Sequence, residues 1–439
     1  MRQLKMARSM FFSYFWVLAL SLAMFSLKMF LMKKLPVVEY ALFDYSYGLM
    51  TLFSFIGMLG LPYITVRFIA QGYSPQLIKR HFFSAIKYSA PVVTILFFGL
   101  WFFTIGNNYS TLFFASLGII GLIVFNEYIA IFKGFKEYVT TGFKYKAYML
   151  TTFSVFSFVI LYFFNIKSAA IILLLHFLIL YLFIFFVKFS HKQIAVRDGL
   201  KKLGEKDFLF YGFSIFFLGM NGELTRNIDK IFVAKLLDLS QLATYLAAVV
   251  FVIPYSLLCN VIETVMFPYL KEELNLKRVL GLVSFLAISM NILYFFCIEK
   301  VIRFLVHSNL LNENYLESLP IIKILSVGYS FLLVYAISAS VVIYSVGRKK
   351  LWQLFIWDFS FGILLGIVIN YVFIKNLGLS GAAYATDICL FLRVLIWTVY
   401  AFPHMKLEKK SAFVSPSWVT AKDEERRRAK IKSYSGAYK

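Results

Sequence analysis

The sequence predicts an all-α integral membrane protein of about twelve transmembrane helices, arranged as two six-helix lobes around a central cavity. Three observations predict it. Of 439 residues, 61% are hydrophobic and only 15% charged, whereas soluble domains run near half and a quarter. The apolar runs are long and lack a period of two, which points to helices and away from a barrel of alternating strands. Landmarks of the first half recur in the second, and six helices per half make that repeat a parallel one, with a site expected between the halves.

In chain order the spans read as 10–32, 40–66, 84–106, 111–132, 144–165, 168–188, 208–236, 241–267, 279–299, 318–346, 351–374 and 379–402. Each is long enough for a hydrocarbon core of about 30 Å. The basic start followed by an apolar run from Met10, without a small-residue cleavage site, reads as a retained first helix. Gly57, Gly60 and Pro62 offer a bend in the second span, and Pro254 and Pro268 in the eighth. Gly362 and Gly366 form a GxxxG in the eleventh, suited to close helix approach. The outward connections are short; the longest, about 300–317, has room for a small interfacial helix and no domain.

An even number of spans puts both termini on one side, and the basic residues choose which. The termini and the connections on their side hold 33 of the 45 Lys and Arg, whereas the opposite side holds seven: Lys28, Lys33, Lys34, Lys167, Lys300, Arg303 and Lys375. Both termini are therefore expected in the cytoplasm. The net charge of +23 then lies where anionic lipid headgroups attract it, and no nucleic acid is needed to explain it.

Residues 188–207 form the longest and most polar connection and divide the chain. The expected organisation is an N-terminal lobe at 1–187, a basic cytoplasmic linker at 188–207, a C-terminal lobe at 208–402 and a basic cytoplasmic tail at 403–439. Gly134 matches Gly347, and Ser168-Ala169-Ala170 matches Gly381-Ala382-Ala383, both 213 residues apart. Residues 35–43 align with 237–245 at an offset of 202.

The seventh span carries the densest polar cluster: Asn221, Glu223, Arg226, Asn227, Asp229 and Lys230. One Arg, Lys or Asp at the centre of an isolated membrane helix costs roughly 2.5–3.5 kcal/mol. Four charges in one span therefore need each other, other helices or water. On a continuous helix Glu223, Arg226, Asn227 and Lys230 share a face, directed to the bundle interior or a wet cavity. The alternative is a self-neutralised cluster pairing Glu223 with Arg226 and Asp229 with Lys230. Arg393, deep in the twelfth span, is expected to face a cavity or an ion-pair partner, and Asp387 lies on a different face of that helix. Lys28 either snorkels or faces the cavity. Polar residues also mark the fourth span (Asn126, Glu127), the eighth (Asn260, Glu263), the tenth (Lys323) and the eleventh (Asp358, Asn370), and His176 in the sixth reads as packed.

No phosphate-binding GxxxxGK[ST], HExxH or Cys/His metal spacing is present, and the three cysteines form no disulfide framework. The sequence does not read as an enzyme, and it implies no cofactor.

Three stretches stand out: Glu39-Tyr-Ala-Leu with Gly57-Met-Leu-Gly-Leu61 and Arg67-Phe-Ile-Ala70; Asn227-Ile-Asp-Lys-Ile-Phe-Val233 running to Ala243-Thr-Tyr-Leu246; and Tyr344-Ser-Val-Gly-Arg-Lys349 with Asn370 to Ala383. They resemble the polysaccharide flippases of the multidrug/oligosaccharidyl-lipid/polysaccharide exporter (MOP) superfamily, O-antigen unit translocases in particular. The resemblance implies transfer of a polyprenyl (undecaprenyl) diphosphate-linked oligosaccharide from the cytoplasmic to the periplasmic leaflet of a bacterial inner membrane, in O-antigen or lipopolysaccharide biosynthesis. Other polysaccharide-assembly membrane proteins would be partners, alongside anionic lipids. Arg226, Lys230 and Arg393, with Lys28, are the candidates for the diphosphate, since Arg suits phosphate. Glu223, Asn227, Asp229 and Asp387 are candidates for tuning those charges or binding sugar, and the carboxylates for carrying a coupling proton or sodium ion. The rival readings are a cation-coupled multidrug exporter of the same superfamily, a membrane sugar polymerase or ligase, and a passive scaffold.

Overall fold

The computed structural model describes residues 2–70, 72–135, 139–192, 204–269, 276–345 and 348–403. The middle of the expected linker (193–203) and the tail from 404 lie outside the described residues. Among these residues the chain is helical throughout: α1 (Arg2–Lys34), α2 (Val37–Gly57), α3 (Leu61–Ala70), α4 (Pro75–Thr104), α5 (Tyr109–Gly134), α6 (Val139–Phe163), α7 (Ala169–Lys192), α8 (Glu205–Thr225), α9 (Ile228–Leu236), α10 (Leu239–Tyr269), α11 (Leu276–His307), α12 (Leu319–Ser345), α13 (Arg348–Asp358) and α14 (Leu365–Ala401). A 3-10 turn, Glu313–Ser318, precedes α12, and a π-helical segment, Phe359–Leu364, joins α13 to α14. A lipid environment leaves few alternatives, because every backbone polar group within it must be satisfied by the chain itself.

Among the described residues eight segments are long and apolar enough to cross a membrane, and the bent pair α2–α3 makes a ninth. The segment 352–401 counts as two crossings, because Gly378 leaves helical geometry (φ 59°, ψ −136°). With α1, and with α8 and α9 end to end, about twelve crossings result. α2 and α3 meet at 55° across Met58–Gly60, where Leu59 (φ 50°) and Gly60 (φ 71°) adopt left-handed backbone. The bend expected from Gly57 and Gly60 is thus present, whereas α10 runs unbroken through Pro254.

α1–α7 pack among themselves as one lobe and α8–α14 as the other. The lobes meet along a seam made by α1, α2, α3 and α4 on one side and α8, α9 and α10 on the other. On the face carrying the α3–α4 and α5–α6 connections, Gly60 rests on the Gly212 carbonyl, and Phe55 stacks against Phe216. We call this the basic face. On the opposite face Tyr40 of α2 meets Tyr315 edge-on, with ring centroids 5.9 Å apart. Away from the seam, α4, α6, α7 and α11 turn Phe102, Phe156, Phe185, Phe285 and Phe296 outward. Such an apolar exterior matches lipid, and together with the crossings it makes this a multi-pass membrane protein.

Candidate functional site

The polar cluster of the seventh crossing sits at a break. α8 ends at Thr225 and α9 begins at Ile228, with Arg226 and Asn227 as the flanking residues. The expected continuous helix, with four polar residues on one face, is therefore interrupted within the cluster. A helix break leaves backbone donors and acceptors without partners in the helix ladder, and this cluster serves them. Lys230 Nζ donates to the Arg226 carbonyl at 2.7 Å and to Asn227 Oδ1 at 3.3 Å. Asn227 Nδ2 donates to the Glu223 carbonyl at 2.8 Å. Asp229 Oδ1 accepts from the Lys230 amide at 2.8 Å.

The side chains then diverge. Asp229 is buried, and its Oδ2 accepts from the Tyr245 hydroxyl at 2.6 Å and from Thr386 Oγ1 at 3.2 Å, tying α9 to α10 and α14. Glu223 pairs with Arg226 at 3.3 Å, and both are partly exposed. No ion pair joins Asp229 to Lys230; Lys230 instead experiences Lys28, Asp44 and Glu223 as well as Asp229 electrostatically. Gly48 of α2 faces Asn227 across the seam, its pro-Cβ direction 3.7 Å from Asn227 Oδ1.

Three further candidates lie inside the lobes. Lys28 of α1 pairs with the buried Asp44 of α2 at 2.6 Å. Arg393 is buried within the C-terminal lobe, with Nε 3.3 Å from Asp358 Oδ1, Nη2 donating to the Tyr335 hydroxyl at 3.2 Å, and the guanidinium against Gly222 of α8. Asp387 does not meet Arg393; its carboxylate lies against Gly328 where α12 crosses α14. Outside the candidate set, His176 is packed edge-on between Tyr47 and Phe153, and Lys323 pairs with Glu299 at 3.0 Å. The side chains of Asn260 and Glu263 lie outside those described.

Beside the break is a cavity of about 550 Å³. The N-terminal lobe supplies most of its wall, including Tyr47, Thr51, Ser54, Asn126, Lys133 and Lys146, and Glu223 closes it from the C-terminal lobe. Lys146 acts electrostatically on Glu223. Sequence reasoning missed both lysines because it assigned 133–146 to a connection. The signal was present in the helix lengths: α5 extends to Gly134 and α6 starts at Val139, so Lys133 lies in a last turn and Lys146 two turns inside a helix. Glu127, one residue from the cavity-lining Asn126, points away into the lobe, where Thr65 donates to it at 2.7 Å. Among the described residues no cluster of His, Cys, Asp or Glu could hold a metal ion.

The architecture is thus that of a multi-pass membrane protein of two six-helix lobes meeting along a seam, with a charged cavity beside a broken helix. That fold is shared with the lipid II flippase MurJ in an inward closed conformation (TM-score 0.62, 17% identity, over 91% of this chain and 88% of that one). It is shared with the eukaryotic MATE transporter AtDTX14 (0.59, 14% identity, 92% and 98%). It is shared also with a MOP superfamily transporter from Pyrococcus furiosus whose binding pocket is described as of reversed polarity (0.58, 12% identity, 90% and 96%). No protein-family model and no curated protein matches the sequence.

Proposed function

We propose that this protein moves a polyprenyl diphosphate-linked oligosaccharide across the bacterial inner membrane by alternating access, with both termini cytoplasmic. The observation that carries the proposal is the charge of the seam cavity. Lys133 and Lys146 stand on one wall, and Glu223, with Arg226 paired to it, on the other. Cations exceed carboxylates in a site partly withdrawn from water, which favours an anionic headgroup such as a diphosphate. A lipid tail can stay in the bilayer while the headgroup passes between the lobes.

The folds of the MATE transporters equally allow the export of cationic compounds. That chemistry calls for unengaged carboxylates in the cavity. Here Glu127 accepts from Thr65, Asp358 faces Arg393, and Asp229 is bonded by Tyr245 and Thr386. Asp229 is instead our candidate for a coupling ion, proton or sodium, because it joins three crossings of one lobe. The basic face would rest on anionic headgroups of the inner leaflet, near other membrane proteins of polysaccharide assembly.

The test is transport by purified protein in liposomes, with a labelled polyprenyl-diphosphate oligosaccharide and, in parallel, a cationic dye under a proton or sodium gradient. We expect the lipid to reach the opposite leaflet, and Arg226→Ala and Lys146→Gln each to slow it about tenfold or more. Gradient-driven dye movement without lipid transfer would overturn the proposal in favour of the drug exporter.

A further inference from the structure

Basic residues are scarce on the side opposite the basic face, and those present are not scattered. Four of the seven, Lys33, Lys34, Lys167 and Arg303, line one pocket of about 1110 Å³. The N-terminal lobe contributes Lys33 and Lys34 from the end of α1, and Asn165 and Lys167 from the α6–α7 connection; the C-terminal lobe contributes Arg303 and His307 of α11. Glu313 is the one carboxylate among the described lining residues.

Local structure accounts for part of this charge. The C-terminal ends of α1, α6 and α11 meet here, and each carries roughly half a negative charge. Set with Glu313 against the four cations, they leave an excess of roughly one and a half positive charges, before the N-terminus of α7 adds to it. Arg303 is engaged by Glu299 at 3.0 Å, but Glu299 also holds Lys323. None of the ion pairs among the described residues involves Lys33, Lys34 or Lys167. Lys34 instead lies over the Tyr162 ring at 5.1 Å.

We propose that this outer pocket is a second site, separate from the seam cavity, which binds phosphate groups presented at the opposite membrane face. Three ammonium groups, a guanidinium and three asparagine amides around a pocket open to water form a donor set suited to a phosphate or diphosphate. Two sources can present that chemistry: a bilayer phospholipid headgroup, or the carrier diphosphate after it has crossed. The second source rests on the transport reading above; the site itself does not.

The experiment uses full-length protein in phosphatidylcholine nanodiscs, carrying Lys133→Gln and Lys146→Gln to silence the inner cavity. Inorganic diphosphate is the probe. We expect saturable binding that weakens with added salt and falls at least tenfold when Lys33→Gln, Lys34→Gln and Lys167→Gln are added. Equal affinity with and without the three changes, or no binding at all, overturns the site. If the triple variant does not fold, Lys167→Gln alone, on an exposed connection, must lower affinity about threefold. Repeating the titration with phosphatidylglycerol identifies the source. Competition assigns the pocket to bilayer headgroups, and undiminished binding assigns it to the carrier. Failure of the unaltered protein to move labelled lipid in liposomes would remove the transport reading and leave these binding outcomes standing.

Discussion

The ammonium of Lys230 is 2.7 Å from the main-chain oxygen of Arg226. A side chain reaching back four residues to a carbonyl stranded at a helix break does a structural task, whatever else it does. Lys230→Met removes that donor at a partly exposed position, with an expected loss of about 0.5–1.5 kcal/mol. Lys230→Arg keeps a donor and is expected to retain most of the stability. Thermal unfolding in detergent separates the two. If Lys230→Met unfolds like the parent yet stops transport, the cation serves substrate and the capping account fails.

Arg393 and Asp358 are both buried and face each other at 3.3 Å. Removing one member strands the other, so Arg393→Met is expected to destabilise by about 3–5 kcal/mol. The double variant Arg393→Met with Asp358→Leu is expected to recover much of that loss. Yield of monodisperse protein by size exclusion, with unfolding temperature, measures both. A stable Arg393→Met that no longer transports would instead place this guanidinium in the substrate path.

Gly328 is where α12 and α14 approach most tightly around Asp387. A Cβ there would overlap the Asp387 carboxylate and come within 2.8 Å of its Cα. Gly328→Ala is therefore expected to reduce folded protein sharply, since overpacking costs about 1–3 kcal/mol or more. Trimming the side chain with Asp387→Ala should rescue it only partly, because the backbone contact remains. Full rescue would show that the side chain alone was in the way.

Orientation has its own test. Asn309, with left-handed backbone (φ 54°), lies on the pocket opposite the basic face. In a background with the three native cysteines replaced, Asn309→Cys should react with an impermeant thiol reagent added to whole cells. Reaction only after the membrane is opened would place the termini outside.

Hydropathy made the crossings legible, because length and apolar content are local properties of the chain. The polar stretch 221–230 was legible as unusual for the same reason. Its geometry was not: the face shared by Glu223, Arg226, Asn227 and Lys230 assumed continuous helix, and the break after Thr225 turns Asp229 toward Tyr245 and Thr386. Partners such as Thr386, 157 residues away, leave no trace in local pattern. Lys133 and Lys146 were hidden by the rule that revealed orientation. Counted as charges on a connection, they gave the sign of a face; placed on α5 and α6, they line a cavity.

The contact between Gly60 and Gly212 has a mechanical consequence. Gly60 lies on the Gly212 carbonyl, and Gly212 in turn leaves room for the buried Leu61 side chain of the N-terminal lobe, which a Cβ there would meet at 2.5 Å. Two absent side chains thus let the lobes interlock at this point, and Leu61 must be withdrawn when they part. The neighbouring aromatic pairs, Phe55 with Phe216 and Phe68 with Phe208, whose rings stand 6.3 Å apart in both cases, add to that hold. The glycines act as a socket, and the flanking rings as the latch.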